Sequence, residues 1–199
     1  MKYSEKKAAQ VAAFFLHQGH GSLPILKLMK LMYLSERESY TKYGEPLTGD
    51  RLCSMDHGPV MSITLNHIND FIESEEDGWD SWISDRENHQ VALTIDEDPT
   101  EKLTQLSDAD IEILNYIWDE YGHLDKYELR DLSHELCTEW EDPEGSSQTI
   151  PYSRVLKCVG HNAEVAREFE QRIKENVVID SMFELVTSEN EVTPEVTAA

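Results

Sequence analysis

The chain has 199 residues and a formal net charge of −23, with 17 Lys and Arg against 40 Asp and Glu. A phosphate backbone demands cationic side chains, so this balance argues against direct nucleic-acid binding and against anionic membrane surfaces, and leaves basic proteins and cations as partners. The length suffices for one domain with a substantial core.

In chain order, Ser4 caps a predicted helix running to about His17, with Ala8, Val11, Ala12, Phe15 and Leu16 as its apolar stripe. His20-Gly21-Ser22 breaks it. Ser22, with Pro24 just inside the start, predicts a second helix to about Tyr43. Its first half is apolar on most faces, relieved only by Lys27 and Lys30, and is expected at the centre of the core. Residues 35–42 turn polar and are expected to reach solvent. Gly44-x-Pro46 ends the helix, a short polar link follows, and Pro59 is read as the first turn of a helix to about Ile72.

Residues 70–101 hold twelve carboxylates against the single Arg86, which makes this the most acidic segment of the chain. Within it, residues 79–83 and 90–95 alternate or cluster as strands do and predict a small β-hairpin. Ser107-x-x-Asp110 and Asp125-x-x-Glu128 resemble capping boxes and open two further helices. A polar loop over 142–148, a short helix from Tyr152 and a last helix capped by Asn162 and reaching about Leu185 complete the order. The predicted fold is mainly α: one compact helical domain over 1–186 with a single small β element within an acidic insert at 73–101. Residues 187–199 lack an apolar period and are expected to form a disordered acidic tail.

Cys53, Cys137 and Cys158 are odd in number and lack framework spacing. The apolar run near the N-terminus is interrupted by Gln10, follows Glu5, Lys6 and Lys7, and is too short to span a bilayer. Together these predict a cytoplasmic protein with reduced thiols.

Several chemistries are weighed. His134-x-x-Cys137 with Cys158-x-x-His161 offers a Cys₂His₂ zinc set, hence a zinc-dependent hydrolase as one alternative, although Cys-x-x-Cys knuckles are the usual form. His134-Glu135 does not continue into a metalloprotease motif, and neither a nucleophile elbow nor a Gly-rich phosphate loop is present. No cofactor and no catalytic residue are predicted. Asp77, Trp79, Asp80, Trp82 and Asp85 are the candidate protein-binding residues, because an aromatic anchor ringed by carboxylates suits a basic partner. A second alternative is an acidic, phage-type decoy that mimics DNA and inhibits a host nucleic-acid-binding protein.

The ordered set Tyr33, Tyr43-Gly44-x-Pro46-Leu47 and His57-Gly58-Pro59-Val60 resembles the Panacea domain, the SocA-like antitoxin module of bacteria and phages. The likeness continues in Leu106-Ser107, Trp118, Tyr121-Gly122, Leu129-x-x-Leu132-Ser133-His134-Glu135, Trp140 and Ile150-Pro151, so that it covers about residues 8–173. Ser54-Met55-Asp56 stands where the family often has an aromatic residue, and Ser133 where it often has Thr. The resemblance implies an antitoxin, not an enzyme, that neutralises a cognate toxin by direct contact; in some relatives the domain instead delivers the toxin to a protease. The acidic surface predicts that this toxin is basic. The terminal Val196-Thr197-Ala198-Ala199 is similar to C-terminal signals read by AAA+ proteases, which makes such a protease a second expected partner.

Overall fold

The computed structural model describes residues 2–95 and 98–190. Helix α1 (Glu5–Gln18) starts where the sequence places it, because the Ser4 side chain accepts the Lys7 N–H at 3.2 Å. Its residues from Ala8 to Leu16 are buried on every face, small alanines letting neighbouring elements approach closely.

The predicted start of the second helix is instead a strand, β1 (Ser22–Pro24), and α2 (Ile25–Tyr43) follows it. Pro24 disfavours helical backbone at Leu23, and Pro24 itself is extended at φ −58° and ψ 133°. α2 touches α1, β1 and further elements introduced below, so it is the central helix. The expectation that residues 35–42 face solvent fails for Ser35, Glu36, Ser39 and Tyr40, which are buried. Gly44 ends α2 in the left-handed region at φ 67°, and a Cβ there would run into the Phe169 ring.

The polar link and the Pro59 helix start are corrected to a hairpin, β2 (Leu52–Met55) with β3 (Gly58–Met61), in register Leu52↔Met61 to Met55↔Gly58. Proline is tolerated because β3 lies at the edge of its sheet, where a missing N–H loses no ladder bond. Helix α3 (Ser62–Ile68) follows directly. The hairpin predicted from residues 79–83 and 90–95 forms in part, further along the chain: Ile83↔Leu93 and Glu87↔Gln90 are antiparallel bridges, and Ser84 N–H and Thr94 N–H donate to the Ala92 and Trp82 carbonyl oxygens. Trp79–Ser81 forms a 3₁₀ turn, and β4 (Gln90–Ala92) pairs with β1 through Leu23↔Val91. β4 thus keeps the local partner that the sequence offers and gains a distant one in β1.

Both capping boxes form, opening α4 (Asp108–Tyr121) and α5 (Lys126–Leu136). β5 (Gln148–Thr149) joins β2, giving a three-stranded sheet of order β3-β2-β5 beside the two-stranded β1-β4 sheet. α6 (Tyr152–Cys158) leads into α7 (Ala163–Asn190), whose first turn is capped by Asn162 Oδ1. The fold is therefore mainly α, with two small sheets where the sequence predicted one β element. Residues 187–190 belong to α7 rather than to the expected tail, and residues 191–199 lie outside the described residues. Among the described residues no helix is long and apolar enough to cross a membrane.

Candidate protein-binding face

The residues that carry the family resemblance are held together by titratable side chains buried behind them. Lys30, with no exposure, donates Nζ to the Pro59 carbonyl oxygen at 2.8 Å. Gly58 sits directly over this ammonium at φ 91°; a Cβ there would lie 2.8 Å from Lys30 Nζ, 3.0 Å from Ser133 Oγ and 3.3 Å from His134 Nε2. Burial lowers the Lys30 pKa to about 7. Partial burial, with Lys30 nearby, also depresses His134. The His134 ring packs edge-on against Trp140 with centroids 4.3 Å apart, and Trp140 donates Nε1 to the Met55 carbonyl oxygen at 3.0 Å.

Glu36 performs a similar task for the Tyr-Gly-x-Pro-Leu turn. Its carboxyl accepts the N–H groups of Leu47 and Thr48 and the Thr48 hydroxyl. Burial raises its pKa to about 7 in spite of those bonds. Asp50 caps α3 by accepting from Ile63 N–H, Thr64 N–H and the Thr64 hydroxyl. Glu139, also without exposure, accepts from Tyr33 Oη at 3.0 Å and from Arg37 Nε at 3.0 Å. Tyr33, Leu47, Gly58, Pro59, Val60, His134 and Trp140 are thus scaffold, locked by Lys30, Glu36 and Glu139. Sequence reasoning missed these three anchors, because a lysine or glutamate on a helix (Lys30, Glu36) or in a turn (Glu139) reads as a solvated position.

The two histidines of the zinc alternative each have another partner. His134 is engaged with Trp140, while His161 Nε2 lies 2.9 Å from the Tyr40 carbonyl oxygen and its ring packs on Phe169. Burial pushes the Cys137 thiol up to about 12. Among the described residues no three His, Cys, Asp or Glu side chains come together to hold a metal ion. All three cysteines are free thiols.

The acidic segment lies at the surface, and of the residues expected to bind there it exposes the three aspartates and buries Trp79. Trp79 is 2% exposed and stacks near His67, so it is core rather than anchor. Trp82 is half-buried, whereas Asp77, Asp80 and Asp85 are exposed. The loop is tied down by Glu5, which accepts from Ser74 Oγ at 2.6 Å, Trp79 N–H at 2.7 Å and Glu75 N–H at 3.1 Å. Burial would raise the Glu5 pKa, but these bonds outweigh it and hold the carboxyl below its usual range.

Ahead of that anchored loop, Asp70 turns the chain sharply at φ 55° as α3 ends. The next two residues, Phe71 at 75% and Ile72 at 39%, are exposed. Asp70, Glu73, Glu75, Glu76 and Asp77 surround them in sequence and are all exposed. A phenylalanine so far in water, flanked by carboxylates, is the feature that sequence reading passed over in favour of the tryptophans.

Residues 28–141 match the protein family described as Antitoxin SocA-like, Panacea domain. That span is more than half of the 199 residues, and the chain belongs to this family. The match is narrower than the 8–173 expected from the sequence motifs. No curated protein and no solved structure matches the chain. The family gives the chain an antitoxin-family role and a toxin as its class of partner.

Proposed function

We propose that the chain is an antitoxin that neutralises its toxin by direct, stoichiometric contact, with the acidic face around Phe71 and Ile72 meeting a basic surface of the toxin. The observation that carries this reading is the exposed apolar pair set among carboxylates in a member of an antitoxin family. Aromatic and aliphatic anchors supply most of the affinity of an interface, and surrounding charge supplies association rate and choice of partner. Asp77, Asp80 and Asp85 keep the role expected of them, as the charged rim, and Phe71 replaces Trp79 as the anchor. The net charge of −23 extends the same attraction over the molecule.

Co-expression tests the reading. Genes from the source genome whose induction arrests growth are paired with this chain, and at least one arrest is relieved. Failure to relieve any such arrest, with the chain soluble and abundant, would count decisively against an antitoxin.

A further inference from the structure

A groove of about 800 Å³ opens between the first turn of α2, the β2–β3 turn, α3 and the start of α5. Its floor is apolar, formed by Ile25, Met29, Met55, Val60 and Leu65. Two cations, Arg86 and Lys126, also line it, with His57 and His89, against the single carboxylate of Asp56. On a chain carrying 40 acidic and 17 basic residues, a lining with two cations and one carboxylate is opposite in sign to the chain as a whole. Arg86 spends one N–H on the neutral Asn69 Oδ1, and Lys126 lies 5.0 Å over the Tyr127 ring. Neither contact neutralises its charge.

The exposed apolar pair lies close in the chain to the groove's lining. Leu65 on its floor belongs to α3, Asn69 at the end of α3 holds Arg86 on its rim, and Phe71 follows two residues later. We infer that this groove receives an apolar segment of the toxin that carries a carboxylate, the aliphatic floor taking its side chains and Arg86 with Lys126 taking its charge. The inference rests on the antitoxin reading and adds to it a second contact of opposite polarity. A basic partner is thereby held in one orientation: its cationic surface on the acidic face, and an acidic, apolar segment in this groove. A purely basic competitor satisfies the first contact and fails the second.

The test uses the full chain and does not depend on knowing the toxin. A short leucine–glutamate peptide and its leucine–lysine counterpart are titrated, followed by nitrogen-15 NMR. The leucine–glutamate peptide is expected to shift resonances of Met55, Val60 and Lys126, and Arg86→Glu with Lys126→Glu is expected to weaken it at least about tenfold. Arg86 is exposed and Lys126 partly so, and urea unfolding verifies that the double variant remains folded. Equal binding of both peptides, binding of neither, or an amphiphilic small molecule co-purifying in the groove by native mass spectrometry would overturn the inference. With a toxin found by growth rescue, the glutamate peptide is expected to compete with it. Binding without competition would overturn the toxin as occupant and leave the antitoxin reading standing; absence of any rescue would remove the reading while the peptide result stood by itself.

Discussion

The Nζ atom of Lys30 reaches the carbonyl oxygen of Pro59 at 2.8 Å inside the core, tying the central helix to the edge strand of the hairpin. The ammonium thereby fixes the turn that the motif His57-Gly58-Pro59-Val60 makes. Its burial brings its pKa down to about 7, whereas an unfolded lysine titrates near 10.5. Between those values the unfolded chain binds a proton that the folded chain does not, so the Lys30 contribution to stability rises with pH across the window and is lost as pH falls toward 7. Urea midpoints measured between pH 7 and 9 are expected to rise by the equivalent of about 2 kcal/mol from this group, and Lys30→Met is expected to flatten that slope.

Gly58 offers a companion test at the same place. Gly58→Ala forces an L side chain into the left-handed region against Lys30 and Ser133, and is expected to cost about 2 kcal/mol in urea unfolding.

Glu36 has the opposite sign. Its carboxyl titrates near 7 in the folded chain against 4.5 when exposed, so the folded state holds a proton over that range that the unfolded state releases. Its stabilising share is complete below about pH 4.5 and is lost as pH rises through about 7. Glu36→Gln is expected to remove that dependence at small cost. Glu36→Ala strands the Leu47 and Thr48 N–H groups and is expected to cost about 3 kcal/mol, read from thermal or urea unfolding.

Glu139 carries a larger penalty. Glu139→Ala leaves the Arg37 guanidinium without its carboxylate in a mostly buried site and is expected to destabilise by about 3 kcal/mol or more. Tyr33→Phe, which removes one hydrogen bond and keeps the pair, is expected to cost about 1 kcal/mol.

The two aromatic candidates of the acidic segment separate by assay. Trp79→Ala is expected to cost about 4 kcal/mol of stability through the cavity it leaves, and to affect neutralisation only through folding. Phe71→Ser with Ile72→Ser is expected to leave the urea midpoint unchanged within about 0.5 kcal/mol while weakening toxin binding at least about tenfold.

Local signals made much of the helical frame legible. Ser4, Ser107 with Asp110, Asp125 with Glu128, and Asn162 each cap the helix that they announce, because a cap is decided within one turn of chain. β4 was legible for the same reason, but the other strands and their pairings were not. β1 finds β4 across nearly seventy intervening positions, and β5 reaches β2 from the far side of three helices. Pro59 misled because the same fixed φ serves a helix start and an edge strand equally. The candidate site was legible only as composition. The acidic run is plain in the sequence, but which aromatic it exposes depends on Glu5 capturing the Trp79 N–H and on the turn at Asp70, neither of which has a sequence signature. The buried titratable side chains of Lys30, Glu36 and Glu139 escaped because their partners are backbone groups or side chains distant in sequence.

Titration calorimetry of the purified chain against a toxin found by growth rescue tests direct neutralisation most closely, with toxin activity assayed on the same samples. An equimolar complex that abolishes activity without any protease present, and that loses affinity on Phe71→Ser with Ile72→Ser, is the expected result. Growth rescue without a complex, with the toxin disappearing from cells only when an AAA+ protease is intact, would contradict it.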